Sequence, residues 1–465
     1  MSSSVNSSLI YTPSPESLNT DSSYYAPIKA NNGSTFGPGS SIYIDIAAQR
    51  NTFLDVSNSW LEFELEFSGT MTPTTIPAGT VADLANFNLT SAGANGLIQS
   101  VYTWGNGGST NLETLTNYPT LTRMLNVLTV GQDTNNSIRT ICGGIQEATT
   151  LNNNLLGEAI GEGTTVGGVT TYSYKKMKFA IPLCSSVLGT MSNGRYLPLH
   201  FLNSSVRLQL DTVTQAIDAC VNNTSTIASI GTDFTYKMTN VQYMGKYVRV
   251  TDASVQEITR YARQDPSGII SWNSTGFRSY RNACDTTGIN KTTQTFLVPA
   301  RFRSLNNLIC AVTHSRAQAN DLLDPQSTTV PWTEWYSRIG GTQYPPVAIQ
   351  SVPSMAQFLM SCFHSVSNTL AETVLSEQAW PLSTKHVTSS TLPLTDSTKA
   401  YTGISFESFN DSAGTVNGLD SSTDIIEVVV AMDGNVFNSG GQITFCVNYD
   451  CLYSIDPEGN LSVSY

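Results

Sequence analysis

Between Leu61 and Phe67 the chain alternates without a break: Leu61, Phe63, Leu65 and Phe67 fall on one side, Glu62, Glu64 and Glu66 on the other. A repeat of two belongs to an extended strand, whose successive side chains point to opposite faces. One face meets a core and the other meets water or a neighbour. The preceding Asp55-Val-Ser-Asn-Ser59 carries turn-forming side chains that bend the chain into this strand.

The same grammar recurs through the first half. Ile42, Ile44 and Ile46 alternate with Tyr43 and Asp45, and Val206-Arg-Leu-Gln-Leu210 alternates cleanly. Gly96 to Gly108 reads as an apolar strand ending in a glycine turn. Phe179-Ala-Ile-Pro-Leu183 and Leu197-Pro-Leu-His-Phe-Leu202 are marked as edge or strand-end segments by their prolines. Phe234–Tyr243 and Lys246–Val250 close the half. Helical spacing is rare; Leu121, Met124, Leu125 and Leu128, just after Pro119, predict one short helix. Residues 70–95 and 130–170 read as loops. Short, numerous, turn-punctuated strands with few helices predict a β-sandwich.

The second half repeats this order. Thr295 to Val312 is a strand, a polar bend and another strand, as in 42–67. Trp332-Thr-Glu-Trp-Tyr-Ser-Arg-Ile-Gly-Gly341 is an aromatic run ending in a double glycine, like Tyr102 to Gly108. A short amphipathic helix follows each double glycine; here its face is Met355, Phe358, Leu359, Cys362 and Phe363, just after Pro353. Asp424–Met432 and Gln442–Tyr449 match the closing strands of the first half. The repeated order predicts a tandem duplication of one sandwich of roughly 210 residues, with a junction near 246–262. Its size and long insertions favour a jelly roll over an immunoglobulin-like domain. The expected division is an extended N-terminal arm over 1–38, a first jelly roll over 39–250 and a second over 251–465. The arm either docks on a neighbouring subunit through Leu9, Ile10, Tyr11, Tyr24 and Tyr25 or lies ordered on its own domain.

A chain of 465 residues exceeds one ordinary core, and 40% hydrophobic residues suffice to fill two. Only 12% of residues are charged, about half the usual share, so the surface is polar but uncharged and suits close packing against neighbours. The net charge of −12 argues against charge-driven nucleic-acid binding. No signal peptide, myristoylation signal or membrane-spanning run is legible, which predicts synthesis in the cytosol or nucleus. The eight cysteines are scattered, form no CxxC and read as small buried thiols in a reducing compartment.

No catalytic, metal or cofactor constellation emerges. His200, His314, His364 and His386 show neither HExxH nor HxH spacing. Gly161-Glu-Gly-Thr-Thr-Val-Gly-Gly168 lacks the lysine of a phosphate loop, and Ser439-Gly-Gly441 lacks a nucleophile elbow. Glu62, Glu64 and Glu66 read as a solvated or subunit-contacting face. Arg260, Arg263, Arg278, Arg281, Lys291, Arg301 and Arg303 gather near the domain junction in sequence. They form salt bridges within or between subunits, or a mildly basic patch that includes Arg260, Arg263 and Arg278.

Phe53-Leu-Asp-Val-Ser-Asn-Ser-Trp-Leu61, Leu112-Glu-Thr-Leu-Thr-Asn-Tyr118, Ile181-Pro-Leu-Cys-Ser-Ser-Val-Leu-Gly189 with Tyr196-Leu-Pro-Leu199, and Arg303-Ser-Leu-Asn-Asn-Leu308 occur in that order. In them the chain resembles the double jelly-roll major capsid proteins of tailless double-stranded DNA viruses, in particular the small hexon-like proteins of Polinton-like viruses and adintoviruses. The resemblance implies an all-β fold of two tandem eight-stranded jelly-roll barrels with a few short helices in loops. It also implies a homotrimeric, pseudo-hexameric capsomer, an icosahedral shell completed by minor capsid and penton proteins, a place in the virion with Arg260, Arg263 and Arg278 facing packaged genome or an inner membrane, and no enzyme activity. The insertions at 70–95, 130–170 and 315–330 would form the capsomer's tower and clasp. The competing expectations are a carbohydrate-binding or adhesive β-sandwich of a tail or fibre, and a glycoside-processing enzyme with a carboxylate pair on facing strands.

Overall fold

The structure, a computed structural model, describes residues 20–73, 87–90, 92–129, 164–166, 169–173, 176–192, 194–222, 227–230, 232–262, 268–284, 293–313, 332–350, 352–362, 401–408, 418–432 and 442–465. The first half contains β1 (Thr20–Lys29), β2 (Thr35–Phe36), β3 (Ser41–Ile46), β4 (Thr52–Pro73), β5 (Phe87–Leu89), β6 (Ile98–Gly105), β7 (Thr110–Thr116) and α1 (Tyr118–Thr129). It continues with β8 (Thr164–Val166), β9 (Val169–Ser173), β10 (Met177–Ile181), β11 (Val206–Thr212), β12 (Cys220–Asn222), β13 (Ile227–Ile230) and β14 (Thr235–Val250). Helix α2 (Asp252–Ala262) leads to the second half. There β15 (Ile270–Ala283), β16 (Thr293–Val298), β17 (Leu305–Thr313), β18 (Trp332–Ile339), β19 (Thr342–Ile349) and α3 (Val352–Ser361) precede β20 (Tyr401–Ser405), β21 (Ile426–Met432), β22 (Gln442–Ile455) and β23 (Leu461–Ser464).

The duplication is visible in the pairing. In the first half β1-β14-β4 with β10 on β4 forms one sheet, and β3-β11-β6-β7 forms the other. In the second half β15-β22-β17-β20 and β16-β21-β18-β19 follow the same order, so eight strands correspond one to one. All these pairings are antiparallel, and α1 and α3 hold corresponding places after β7 and β19. Each half is a jelly-roll sandwich. The short β2, β5, β8, β9, β12 and β13 are additions to the first, and β23 to the second.

The alternation read in sequence sets which face is inside. Leu61, Phe63, Leu65 and Phe67 of β4 and Ile42, Ile44 and Ile46 of β3 are buried between the two sheets, as are Leu208 and Leu210 of β11. Burying each such side chain contributes roughly 1.5–3 kcal/mol, against a few tenths for a charged pair on the wet face. The inward residues therefore fix the register. Trp335, Val428, Val430, Phe445 and Val447 play this part in the second half, and one apolar cluster runs through both halves.

Of the two expectations for the arm, residues 20–29 follow the second: β1 pairs along β14 from Thr20↔Val250 to Lys29↔Gln242, on its own domain. Two other expectations are corrected. Strand β4 runs on through Thr70–Pro73, pairing β9 and β13, where a loop was expected. It passes so close to the segment leading into β14 that a Cβ at Gly69 (φ +143°) would lie 2.5 Å from Phe234 Cα. Leu197–Leu202 is not a strand; it makes a single bridge, Leu54↔Leu197, and one helical turn at Leu199–Phe201. Helix α2 stands at the junction, its start held by Thr251 Oγ1, which accepts the Ser254 amide at 3.4 Å. The tower and clasp insertions fall largely outside the described residues.

Candidate functional site

The residues considered for chemistry are satisfied structurally. His200 Nδ1 accepts the Asn51 amide at 2.9 Å, and its ring meets Phe201 edge-on; His314, His364 and His386 lie outside the described residues. Among the described residues no three His, Cys, Asp or Glu side chains converge as metal ligands. The glutamate ladder is compensated on its own sheet: Trp60 Nε1 and Gln242 Nε2 donate to Glu62 at 2.7 and 2.9 Å, and Lys178 lies 3.5 Å from Glu64. Seven cysteines are described, all buried and none in a disulfide; Cys142 lies outside.

The described junction cations meet different partners. Arg260 on α2 is exposed and pairs with Glu257 at 2.7 Å. Half-buried Arg278 on β15 acts on Tyr280, Tyr449 and Tyr465. Arg281 lies in the field of Asp218, and exposed Arg303 in that of Asp420. Arg301 is exposed, while Arg263 and Lys291 fall outside the described residues. Arg260 lines an open groove of about 560 Å³ with Arg50, Asn51, His200, Asp252 and Gln256. There Arg50 lies 3.7 Å from Asp252, and Asn51 Nδ2 donates to the same carboxylate, so the groove has no unbalanced positive field.

The most organised polar site is one that sequence reasoning assigned no role. Two of the quoted motifs meet in it. Glu113 of β7, 1% exposed, accepts the Ser186 amide at 2.8 Å and the Ser186 hydroxyl at 2.7 Å, and Ser185 Oγ donates to its other oxygen. Tyr118 Oη accepts the Cys184 amide at 2.9 Å, fixing the same segment. Ser186 Oγ then shares a 2.6 Å hydrogen bond with Tyr453 Oη of β22, in the other half. Ser274 Oγ of β15 donates to the Ser186 and Met191 carbonyls at 3.0 and 2.8 Å. Burial pushes the Glu113 carboxyl above its usual range, against the serine bonds, which pull it down. The legible signal was a carboxylate inside a strand pattern and a Ser-Ser pair after a proline; nothing local says they touch.

Around this centre the halves interlock. Strand β7 runs beside β15 and β23. Asn106 Nδ2 donates to the Leu461 carbonyl at 3.1 Å and its Oδ1 accepts the Leu461 amide at 2.8 Å. Asn203 Nδ2 reaches the Glu458 carbonyl and Asn460 Oδ1, and Tyr465 Oη donates to the Leu112 carbonyl. Directional bonds across such a seam set one mutual orientation.

Outside, the sheet β3-β11-β6-β7 presents two ordered rows: Asp45–Arg207–Trp104 and Tyr43–Gln209–Tyr102. Arg207 donates to both Asp45 oxygens at 2.7 and 3.2 Å and covers the Tyr43 ring; Trp104 Nε1 donates to Gln209 at 3.1 Å. The second half repeats the Arg–Tyr contact with Arg338 over Tyr336 and exposes Leu297 and Val347. Aromatic residues and arginine predominate in those rows, and protein–protein contacts are enriched in both.

No family model and no curated protein matches the sequence. Solved structures do match. A chain of the Sputnik virophage structure superposes with a TM-score of 0.61 at 11% identity, covering 99% of this chain and 92% of that one. A chain of the PBCV-1 virus capsid gives 0.60 at 13% identity, covering 98% of each. The mavirus major capsid protein gives 0.56 at 10% identity, covering 99% of this chain and 93% of that one. The chain has the fold of these proteins over nearly its whole length, a double jelly roll.

Proposed function

We propose that this chain is a major capsid protein, a structural subunit that forms pseudo-hexameric homotrimers and tiles an icosahedral viral shell. The observation that carries the reading is the end-to-end likeness to the mavirus major capsid protein and the PBCV-1 capsid chain, both halves and their junction included. Two barrels per chain and three chains per block give six near-equivalent lobes, with the division between barrels at the α2 linker. The aromatic and arginine rows outside the sandwiches support lateral packing, which in obligate assemblies buries on the order of 2,000 Å² or more. The chemistry is shape complementarity and copy number, with no catalytic step.

Minor capsid and penton proteins would close the vertices, and the subunit would reside in the virion after synthesis in the host cytoplasm or nucleus. Contact with packaged genome or an inner membrane through Arg260, Arg263 and Arg278 is weakened as a proposal, because Arg260 is paired with Glu257 and Arg278 faces tyrosines. Negative-stain imaging of the purified protein tests the reading. Blocks with a hexagonal outline, or closed shells, are expected; small single particles at every concentration would overturn it.

A further inference from the structure

The duplication carries a register at both edges of the sandwiches. Leu54 of β4 and Leu305 of β17 each make an isolated bridge, to Leu197 and Leu419, and pair with Tyr247 of β14 and Tyr449 of β22. One residue before those tyrosines, Lys246 faces Tyr25 of β1 and Asn448 faces Phe277 of β15, so Tyr25 and Phe277 hold the same place. On the other edge Val101↔Leu115 and Trp335↔Ile349 correspond, because each pair lies four residues before the end of β6 or β18. Glu113 of β7 and Val347 of β19, each two residues before that buried Leu115 or Ile349, are then counterparts.

Within one chain β7 seats beside β15, with Thr116 Oγ1 donating to the Ser279 carbonyl at 3.4 Å, and the two strands form no ladder with each other. The same two places occur again as β19 and β1, which each end a sheet. There the matching side chains are bare. Val347 is 79% exposed where Glu113 is 1%, and Tyr25 is 51% exposed where Phe277 is 5%.

The bare strands have the chemistry of a contact. Ser22–Ile28 and Thr342–Ile349 contain no charged residue, so covering them takes no ion out of water. Tyr24 stacks on Tyr247 with ring centres 5.5 Å apart, and Tyr25 lies 5.2 Å from Trp60, so both rings are held before any partner arrives and lose little freedom on association. Pro27, Pro345 and Pro346 lack amide donors, which disfavours a new ladder and leaves side-chain packing, the kind of contact that β7 and β15 already make.

We propose that β19 of one chain seats against β1 of a second copy, repeating between chains the β7–β15 seam within one. Two different patches meet, so the contact passes head to tail from chain to chain and closes as a ring. With two like seams per chain, three chains complete six lobes. The assignment rests on the reading of the chain as a trimer-forming shell subunit and names the surfaces that build the trimer.

Two measurements on the full chain test it. By light scattering the parent should weigh near three times 50.2 kDa or more, and Tyr25→Glu and Val347→Asp, both at exposed positions, should each lower the mass to one chain. Pro27→Cys combined with Gln350→Cys, the counterparts of Ser279 and Thr116, should give covalent dimers and trimers on a denaturing gel after mild oxidation. Each single variant, which keeps every native cysteine, should give none. A parent that stays a monomer would overturn the contact and the capsid reading together. A trimeric parent whose Glu and Asp variants stay trimeric, or whose paired cysteines do not cross-link, would overturn the contact and leave the reading standing.

Discussion

Lys246 Nζ lies 2.9 Å from Asp55 Oδ2, joining the two longest strands of the first sandwich at the point where their register shifts between Met244 and Lys246. The Asp55 side chain is 2% exposed and that of Lys246 27%, so the carboxylate is the member that cannot turn to water. Asn58 Nδ2 also donates to it at 2.9 Å.

Lys246→Met leaves Asp55 charged, buried and half-satisfied. Breaking such a pair from one side costs about 2–3 kcal/mol here, at the low end for buried pairs because Asn58 remains. Denaturant unfolding should show that loss. Asp55→Asn combined with Lys246→Met should recover part of it, since the uncompensated charge is then gone.

Gly189 ends the motif that carries Ser185 and Ser186. A Cβ there would lie 2.0 Å from the Leu183 carbonyl oxygen and 2.7 Å from the Ser185 amide nitrogen, both backbone atoms. Gly189→Ala must open the turn that Thr190 closes by donating its amide to Leu183 at 2.9 Å. A loss of at least about 2 kcal/mol is expected, read as a lower denaturation midpoint.

Glu407, beside β20, titrates at about 7, raised first by burial and then by the charge of Asp450. Its neutral form is the stabilising one. That contribution is whole below the ordinary value of 4.5 and disappears as pH rises through 7. Thermal scans from pH 5 to 8 should show a decline in Tm that Glu407→Gln reduces; identical slopes for the two proteins would remove Glu407 from the account.

Much of the fold was legible because period-two alternation survives in strands with one wet face. Strands β3, β4 and β11 announce themselves through Ile42, Leu61 and Leu208 and their alternating neighbours, and the order of strand, aromatic turn and helix exposed the duplication. Strand β1 was not legible. Nearly all its side chains from Asp21 to Lys29 are exposed, so it carries no apolar period, and it is held by backbone bonds to β14. Helix α2 buries little beyond Val255, which leaves too thin a stripe for a helical signal. The Glu113 site was hidden for another reason. Its members come from residues 113, 185, 186 and 453, and burial of a carboxylate is a property of the packed pair of sandwiches, not of any stretch of chain.

The central claim is that this double jelly roll is a self-assembling shell subunit, and the most direct measurement is its mass in solution by light scattering during size separation. The account predicts a particle near three times the 50.2 kDa chain mass, or larger closed assemblies built from it. A monodisperse monomer that persists at high concentration would contradict it.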